Sequence, residues 1–326
     1  MVTRALALRL AGRLAGLVGT LLAAAVLVFL ALHIMPGDPA ELMLGINADP
    51  AAVAALREQM GLDEPLFVQF GAWLSGVVVG DFGTSLTYGV PVSTLLMERA
   101  SVSVPLAVLA VTLTVAVALP VAVAAAVVRD GWADRTAMAG AQILLSVPNI
   151  WLGLVGIYVF AVILRWVPAG GFPGWSGGVL AGLTALALPA IALAAPQAAI
   201  LARLARIAVG EAMDQDYVAL ARAKGLSARQ AAWRHALPTV WAPIVTIIGL
   251  QFGFLLAGAI IIETVFSLPG LGRLLFQAVS QRDIPVVEGV VLLVVAAVVV
   301  ANGICDLLAI ASDPRQSARR PVSAGP

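Results

Sequence analysis

Six stretches of this 326-residue chain contain no Asp, Glu, Lys or Arg and have lengths suited to crossing a lipid bilayer: 14–37, 100–128, 136–164, 166–202, 236–262 and 289–305. A spanning helix needs about 20 apolar residues, because it rises about 1.5 Å per residue through hydrocarbon about 30 Å thick. Inside that layer no water can pair with backbone N–H and C=O groups, so each stretch must satisfy its own, as a helix does. At 61% apolar and 11% charged residues, the chain also lacks the charge to cover a water-facing surface. The expected fold class is an all-α integral membrane protein with six transmembrane helices. A soluble enzyme and a nucleic-acid binder are excluded.

The stretch 166–202 exceeds one helix. Its opening residues, Val167-Pro168-Ala169-Gly170-Gly171-Phe172-Pro173-Gly174, form turns, which moves the helix to about 179–202. The last stretch is short, but 307–311 prolongs it past Asp306. Arg4, Arg9 and Arg13 precede the first in the manner of a secretory signal. Its apolar part is too long for one, and Met35-Pro36-Gly37-Asp38-Pro39 offers no small-x-small cleavage site, so it reads as an uncleaved anchor. The expected layout is an N-terminal transmembrane helix over 1–38 and an external segment with an interfacial helix over 39–99. A five-helix core follows over 100–311, including a cytosolic loop at 203–238, and then a cytosolic tail over 312–326.

Orientation follows from basic residues, which are retained on the cytoplasmic side. Of the 19 Lys and Arg, 14 lie in the N-terminus, 128–136, 203–235 and the C-terminus; Arg57, Arg99, Arg165, Arg273 and Arg282 lie on the opposite side. Both termini and the 203–235 segment therefore face the cytosol.

Two long connections have structure of their own. Externally, Asp49-Pro50 supplies an N-cap and a first-turn proline, and Gly61 can end that helix. Within the uncharged run 66–80, Leu66, Phe67, Phe70, Leu74, Val77 and Val78 recur at helical spacing. This predicts an amphipathic helix lying in the interface or packed on the bundle, either sealing the outer mouth or receiving a soluble partner. In the cytosolic connection, 216–224 predicts a helix stopped by Gly225, and Ser227-Ala228-Arg229-Gln230 has capping-box spacing. A second helix then runs to about Leu237 and halts at Pro238. A plain solvated connector needs no two capped helices meeting at a glycine. The alanines Ala219, Ala221 and Ala223 leave a shallow surface on which another protein can sit.

What the chain lacks narrows the class. One cysteine, Cys305, excludes a disulfide framework, and two histidines 202 positions apart give no metal cluster. A P-loop ends in Gly-Lys-Ser/Thr, but the one lysine, Lys224, is followed by Gly225 and Leu226. If ATP drives this protein, the ATPase is a separate chain. Nor do the central parts of the spans carry the ionisable residues an ion-coupled carrier keeps there. Glu263 and Asp306 lie near span ends, within reach of hydration. Pro120, Pro148, Pro189, Pro196 and Pro243 lie inside the stretches, with small-xxx-small pairs at Gly249/Gly253 and Gly12/Gly16 that allow close helix approach. Ser146, Asn149, Gln197 and Gln251 are uncharged polar residues at membrane depth, candidates for lining a translocation path or for hydrogen bonds between helices.

At these residues the sequence resembles the inner-membrane permease subunits of ABC importers for dipeptides, oligopeptides and nickel. Tyr217-Val218-Ala219-Leu220-Ala221-Arg222-Ala223-Lys224-Gly225-Leu226-Ser227, followed by Arg234-His235-Ala236-Leu237, is similar to that family's coupling signature. Ala219-Leu220-Ala221 stands where the general signature has Glu-Ala-Ala, a departure common in the peptide/nickel branch, while Gly225 and Leu237-Pro238 match. Pro36-Gly37-Asp38-Pro39, Gly61-Leu62-Asp63-Glu64-Pro65-Leu66, Gly80-Asp81-Phe82-Gly83-Thr84-Ser85 and Pro91-Val92 resemble the branch's N-terminal half. Gly249-Leu250-Gln251-Phe252-Gly253, 263–272 and Gln281-Arg282-Asp283-Ile284-Pro285 resemble its C-terminal half, so the likeness covers nearly the whole chain.

The resemblance implies a type I ABC importer permease fold, with the external segment between helices 1 and 2, in the cytoplasmic (inner) membrane of a bacterium or archaeon. It implies a second homologous permease subunit, two cytosolic ABC ATPase subunits carrying ATP and Mg, and an extracytoplasmic substrate-binding protein. No cofactor is expected on this chain. By that resemblance Ala219, Leu220, Ala221, Arg222, Ala223, Lys224, Gly225, Leu226 and Ser227 make the ATPase-coupling loop, Gly225 as hinge and Arg222 and Lys224 as charged rim contacts. The cargo expected is a di- or oligopeptide, with nickel, glutathione or another small solute as alternatives. From other classes, an ion-coupled carrier would transport alone on a gradient, and a structural membrane protein would leave the elbow without a purpose.

Overall fold

The structure, a computed structural model, describes residues 2–33, 39–44, 49–59 and 61–312. Among these, α1 (Val2–His33), α2 (Pro39–Leu44), α3 (Pro50–Gln59) and α4 (Leu66–Val78) precede the long helix α5 (Val92–Val127). A bent pair follows, α6 (Trp132–Ser146) and α7 (Asn149–Gly156), the latter continued by a wide π-turn segment, Ile157–Ile163. Then come α8 (Val179–Met213), α9 (Asp216–Ala223), α10 (Ala228–Ala231), a π segment Ala232–Ala236, α11 (Leu237–Thr239), α12 (Trp241–Val265), α13 (Leu271–Gln281) and α14 (Ile284–Ala311).

By length and hydropathy α5, α8, α12 and α14 can each cross a membrane as continuous helices. The expected single span over 136–164 is instead two helices meeting at 98°. Pro148 lacks an N–H and drives the residue before it out of helical backbone, and Val147 accordingly adopts φ −94°, ψ 123°. α8 overruns the expected end at 202 by a further 11 residues, because Arg203, Arg206 and Glu211 are sound helix formers outside the apolar layer. The apolar part of α1 is Ala15–Ala31.

The chain divides into two compact units, 1–103 with 269–299, and 104–268 with 300–326. In the first, α4 packs on α1 through Phe29, Phe70 and Trp73, whose ring centroids lie 5.3–6.0 Å apart. The Trp73 side chain also hydrogen-bonds Glu288 of α14. Phe67 and Val78 of α4 are 76% and 79% exposed, as apolar side chains at a membrane boundary would be. The starts of α5 and α14 enclose, with α13, a core of Val92, Leu96, Leu274, Val286 and Val290. Gly289 permits this approach, since a Cβ there would stand 2.9 Å from Val92. Asp49 and Gly61 bound α3 as expected: Asp49 accepts from the Ala51 N–H at 3.1 Å, and Gly61 takes φ +66°.

In the second unit, α8 packs against α6, α7 and α12. Gly153 and Gly156 let α7 close on Phe266 and on Leu188. Gly249 brings α12 against Asn302 and Cys305 of α14. Glu263, expected within reach of water, is fully buried.

Candidate functional site

The two-helix elbow forms in the manner its residues dictate. At the end of α9 the Leu226 N–H donates to Ala221 O (3.3 Å) and the Gly225 N–H to Arg222 O (3.0 Å). This is the doubly bonded helix stop that needs a left-handed residue, which Gly225 supplies at φ +98°. Two residues on, Ser227 Oγ accepts from the Gln230 N–H (3.2 Å) while Gln230 Oε1 accepts from the Ser227 N–H (3.0 Å), a complete capping box. The second helix does not halt at Pro238 as expected. Leu237 N–H reaches back five residues to Ala232 O, and this wide turn lets the chain pass the proline and stay helical to Thr239. Tyr217 and Thr239 close the elbow with a 2.8 Å bond between hydroxyls.

The elbow has two distinct faces. Val218, Ala231, Ala232, Ala236 and Leu237 are buried in one cluster with α5 residues such as Ala122 and Ala126 and α8 residues such as Leu201 and Ala205, and Ala221 is buried as well. Ala219, Leu220, Arg222, Ala223, Lys224, Gly225 and Ser227 are exposed, Leu220 by 57%, and Leu226 is half-buried. Of the alanines in α9, Ala221 is therefore buried, while Ala219 and Ala223 lie on the outer face.

Ion pairs at the root of the elbow had no counterpart in the sequence reading, where arginines were counted for their side of the membrane. Arg206 of α8 grips Asp134 of α6 with two nitrogens, Nε donating to Oδ1 at 2.9 Å and Nη2 to Oδ2. Asp134 also accepts from the Asp130 N–H at 3.0 Å and is 2% exposed. Arg129 pairs with Asp214 at 2.7 Å, and Arg203 donates to Gln142 Oε1 at 2.8 Å. The loop 128–136 carries Asp130 and Asp134 beside Arg129 and Arg135, a mixed charge that counting arginines by side passes over and that does not name Arg206 as the partner.

The four polar candidates at membrane depth divide. Gln197 of α8 and Gln251 of α12 meet: Gln251 Nε2 donates to Gln197 O at 2.9 Å, and the side chains are 7% and 5% exposed. Both Oε1 atoms are buried without a hydrogen-bond partner. Asn149, at the start of α7, lies over Gly258 of α12, where a Cβ would be 3.2 Å from its Nδ2 and from Leu193 of α8. Ser146 is exposed and donates to Gln142 O within its own helix.

The chain belongs to the binding-protein-dependent transport system inner membrane component family, whose model matches residues 118–318, and the companion N-terminal model matches 7–107. It is 40% identical over 303 residues, 93% of this chain and 96% of the relative, to a protein of Brucella abortus (strain 2308) named as a peptide transport system permease. It is 40% identical over 302 residues, again 93% and 96%, to the glutathione transport system permease of Salmonella typhimurium (strain LT2). A chain of the MetNI methionine ABC transporter, solved in inward facing conformations, matches with TM-score 0.56 and 22% identity over 67% of this chain and 96% of that chain. The fold is that of a type I importer permease, and the chain is a membrane component, not a catalytic subunit.

Proposed function

We propose that this chain forms half of the translocation path of an importer for di- or oligopeptides and couples it to separate ATPase subunits through the elbow. The observation that carries this reading is the division of the elbow into two faces. One is buried among α5, α8 and α12, so a force applied to the elbow reaches the bundle; the other offers Ala219, Leu220, Ala223 and the basic Arg222 and Lys224 to a partner. Gly225 fixes the angle between the two short helices. The remaining subunits in this proposal are a second homologous permease, two cytosolic ATPases holding ATP and Mg, and an extracytoplasmic binding protein that receives the cargo. α1 and the bent pair complete six spans with both termini in the cytosol. The layout then has a transmembrane helix in 1–38, an external segment over 39–99, a core over 100–311 with the coupling loop at 203–238, and a tail over 312–326. Ser146, Asn149, Gln197 and Gln251 are the polar groups proposed to face the path. Peptide as cargo is supported by the relative from Brucella abortus.

Replacing Leu220 by Asp tests the docking role, because the residue is exposed and the fold does not depend on it. The variant is expected to insert normally and to lose its ATPases when the tagged chain is purified from its own membranes. Full retention of the ATPases would remove the elbow from the docking surface. Glutathione, a small modified peptide, is a second reading supported by the relative from Salmonella typhimurium. Competition by unlabelled glutathione against uptake of a labelled dipeptide in whole cells separates the two.

A further inference from the structure

We propose that Asp134 and Arg206 are positioning residues that lock the loop between α5 and α6 to the end of α8, so that elbow motion carries α5, α6 and α8 together. The proposal rests on the elbow being the ATPase docking element. Asp134 lies in the first turn of α6, beside residues that are mostly exposed, yet it is 2% exposed. Its two oxygens receive Arg206 Nε, Arg206 Nη2 and the Asp130 N–H. Such a fork fixes distance and orientation together, and burying it is unfavourable unless every bond is made. A connector that only joined two helices would leave both side chains in water.

A second pair shows what is being held. Arg129, at the other end of the loop, binds Asp214, the residue that ends α8 and stands two positions before α9 begins. The loop contributes Arg129, Asp130 and Asp134, and the end of α8 contributes Arg206 and Asp214, crossed so that opposites meet; Asp130 Oδ1 also stands 4.0 Å from Arg206 Nη2. A slip that carries Arg129 to Arg206 or Asp134 to Asp214 sets like charges together, which is repulsive. The arrangement therefore specifies register as well as contact, at the root of the elbow. The basic bias of a cytosolic connection accounts for the presence of Arg129 and Arg206 but not for this crossing.

The test uses the complete transporter in liposomes: this chain, its partner permease, the ATPases and the binding protein, with a labelled dipeptide as cargo. Uptake and ATP hydrolysis are read in the same vesicles. Asp134→Asn is expected to hydrolyse ATP within about twofold of the parent while uptake per ATP falls about tenfold, the scale of a coupling free energy between sites. The exchange D134R/R206D restores the opposite charges and is expected to recover uptake per ATP to within about threefold, by the same reasoning. Unchanged uptake per ATP in Asp134→Asn overturns the proposal. If that variant fails to assemble, the exchange decides: assembled and coupled supports the lock, while uncoupled or unassembled overturns it. Failure of the docking reading is distinguishable, because Leu220→Asp would then keep its ATPases whatever the ratio in Asp134→Asn.

Discussion

Ser85 and Asp283 are 198 positions apart in sequence and are joined by a 2.5 Å hydrogen bond, Ser85 Oγ donating to Asp283 Oδ2. The N–H groups of Leu86 and Thr87 donate to the same carboxylate, each at 3.1 Å. Asp283 is fully buried and stands between Arg282, held in left-handed backbone at φ 56°, and the first residue of α14. Two motifs that look independent in the sequence, 80–85 and 281–285, are thus the two halves of one joint. The carboxylate is the knot, and the loop before α5 is tied around it.

Replacing Asp283 by Ala leaves the buried Ser85 hydroxyl and the partly buried N–H groups of Leu86 and Thr87 without their acceptor. Bonds to a charged group contribute about 1.5–3 kcal/mol each, so the variant is expected to lose roughly 3 kcal/mol or more of stability. Ser85→Ala removes one of those bonds and should lose about 1.5–3 kcal/mol. Thermal unfolding in detergent, with limited proteolysis between residues 80 and 91, measures both. Coincident melting of Asp283→Ala and the parent would show that the joint bears no load.

Gly225 at φ +98° tolerates no side chain without strain. Ala there should destabilise the elbow by about 1–2 kcal/mol. Pro should do more, because it cannot adopt that φ and it removes the N–H that donates to Arg222 O. The expected outcome for Gly225→Pro is normal insertion with abolished uptake, measured as dipeptide accumulation against the amount of chain in the membrane. Uptake at the parental rate would take the hinge role away from Gly225.

The buried and exposed alanines of the elbow should respond oppositely to Leu. At Ala221, 7% exposed, overpacking is expected to cost about 1–3 kcal/mol and to lower the melting temperature. At Ala219, which is exposed, the same change should leave melting unaltered and weaken retention of the ATPases. Equal melting temperatures for the two variants would contradict the two-faced elbow.

Gln251→Leu removes one buried unpartnered oxygen and the 2.9 Å bond to Gln197 O. Loss of the bond and relief of the orphaned acceptor nearly cancel, so stability should change by no more than about 1 kcal/mol. Uptake is nonetheless expected to fall several-fold, since a polar group is lost from the proposed path. Parental uptake with unchanged melting would place Gln251 off the path.

Local features of this chain were legible because local chemistry determines them. Gly225, Ser227 and Gln230 made the stop and the cap where spacing put them, and Asp49 and Gly61 bounded α3. Features that depend on residues far apart were not. Asp283 gave no sign of its partners 196–198 positions away, and Asp134 gave none of Arg206, because pairing across 72 positions leaves no periodic trace. The break at Val147-Pro148 was a matter of degree: proline inside an apolar stretch can kink a helix or end it, and here the preceding residue turned fully extended. Pro238 went the other way, bridged by a wide turn upstream that composition alone does not foretell.

Ten of the 17 residues in the cluster beneath the elbow are alanine. A methyl group has no rotamers, so such a core cannot take up a displacement by repacking its side chains as leucines and methionines can. Mechanical compliance between the elbow and the helices under it is accordingly low. In the proposed coupling role, a small push at the outer face of this element would therefore pass to the helices beneath it with little loss.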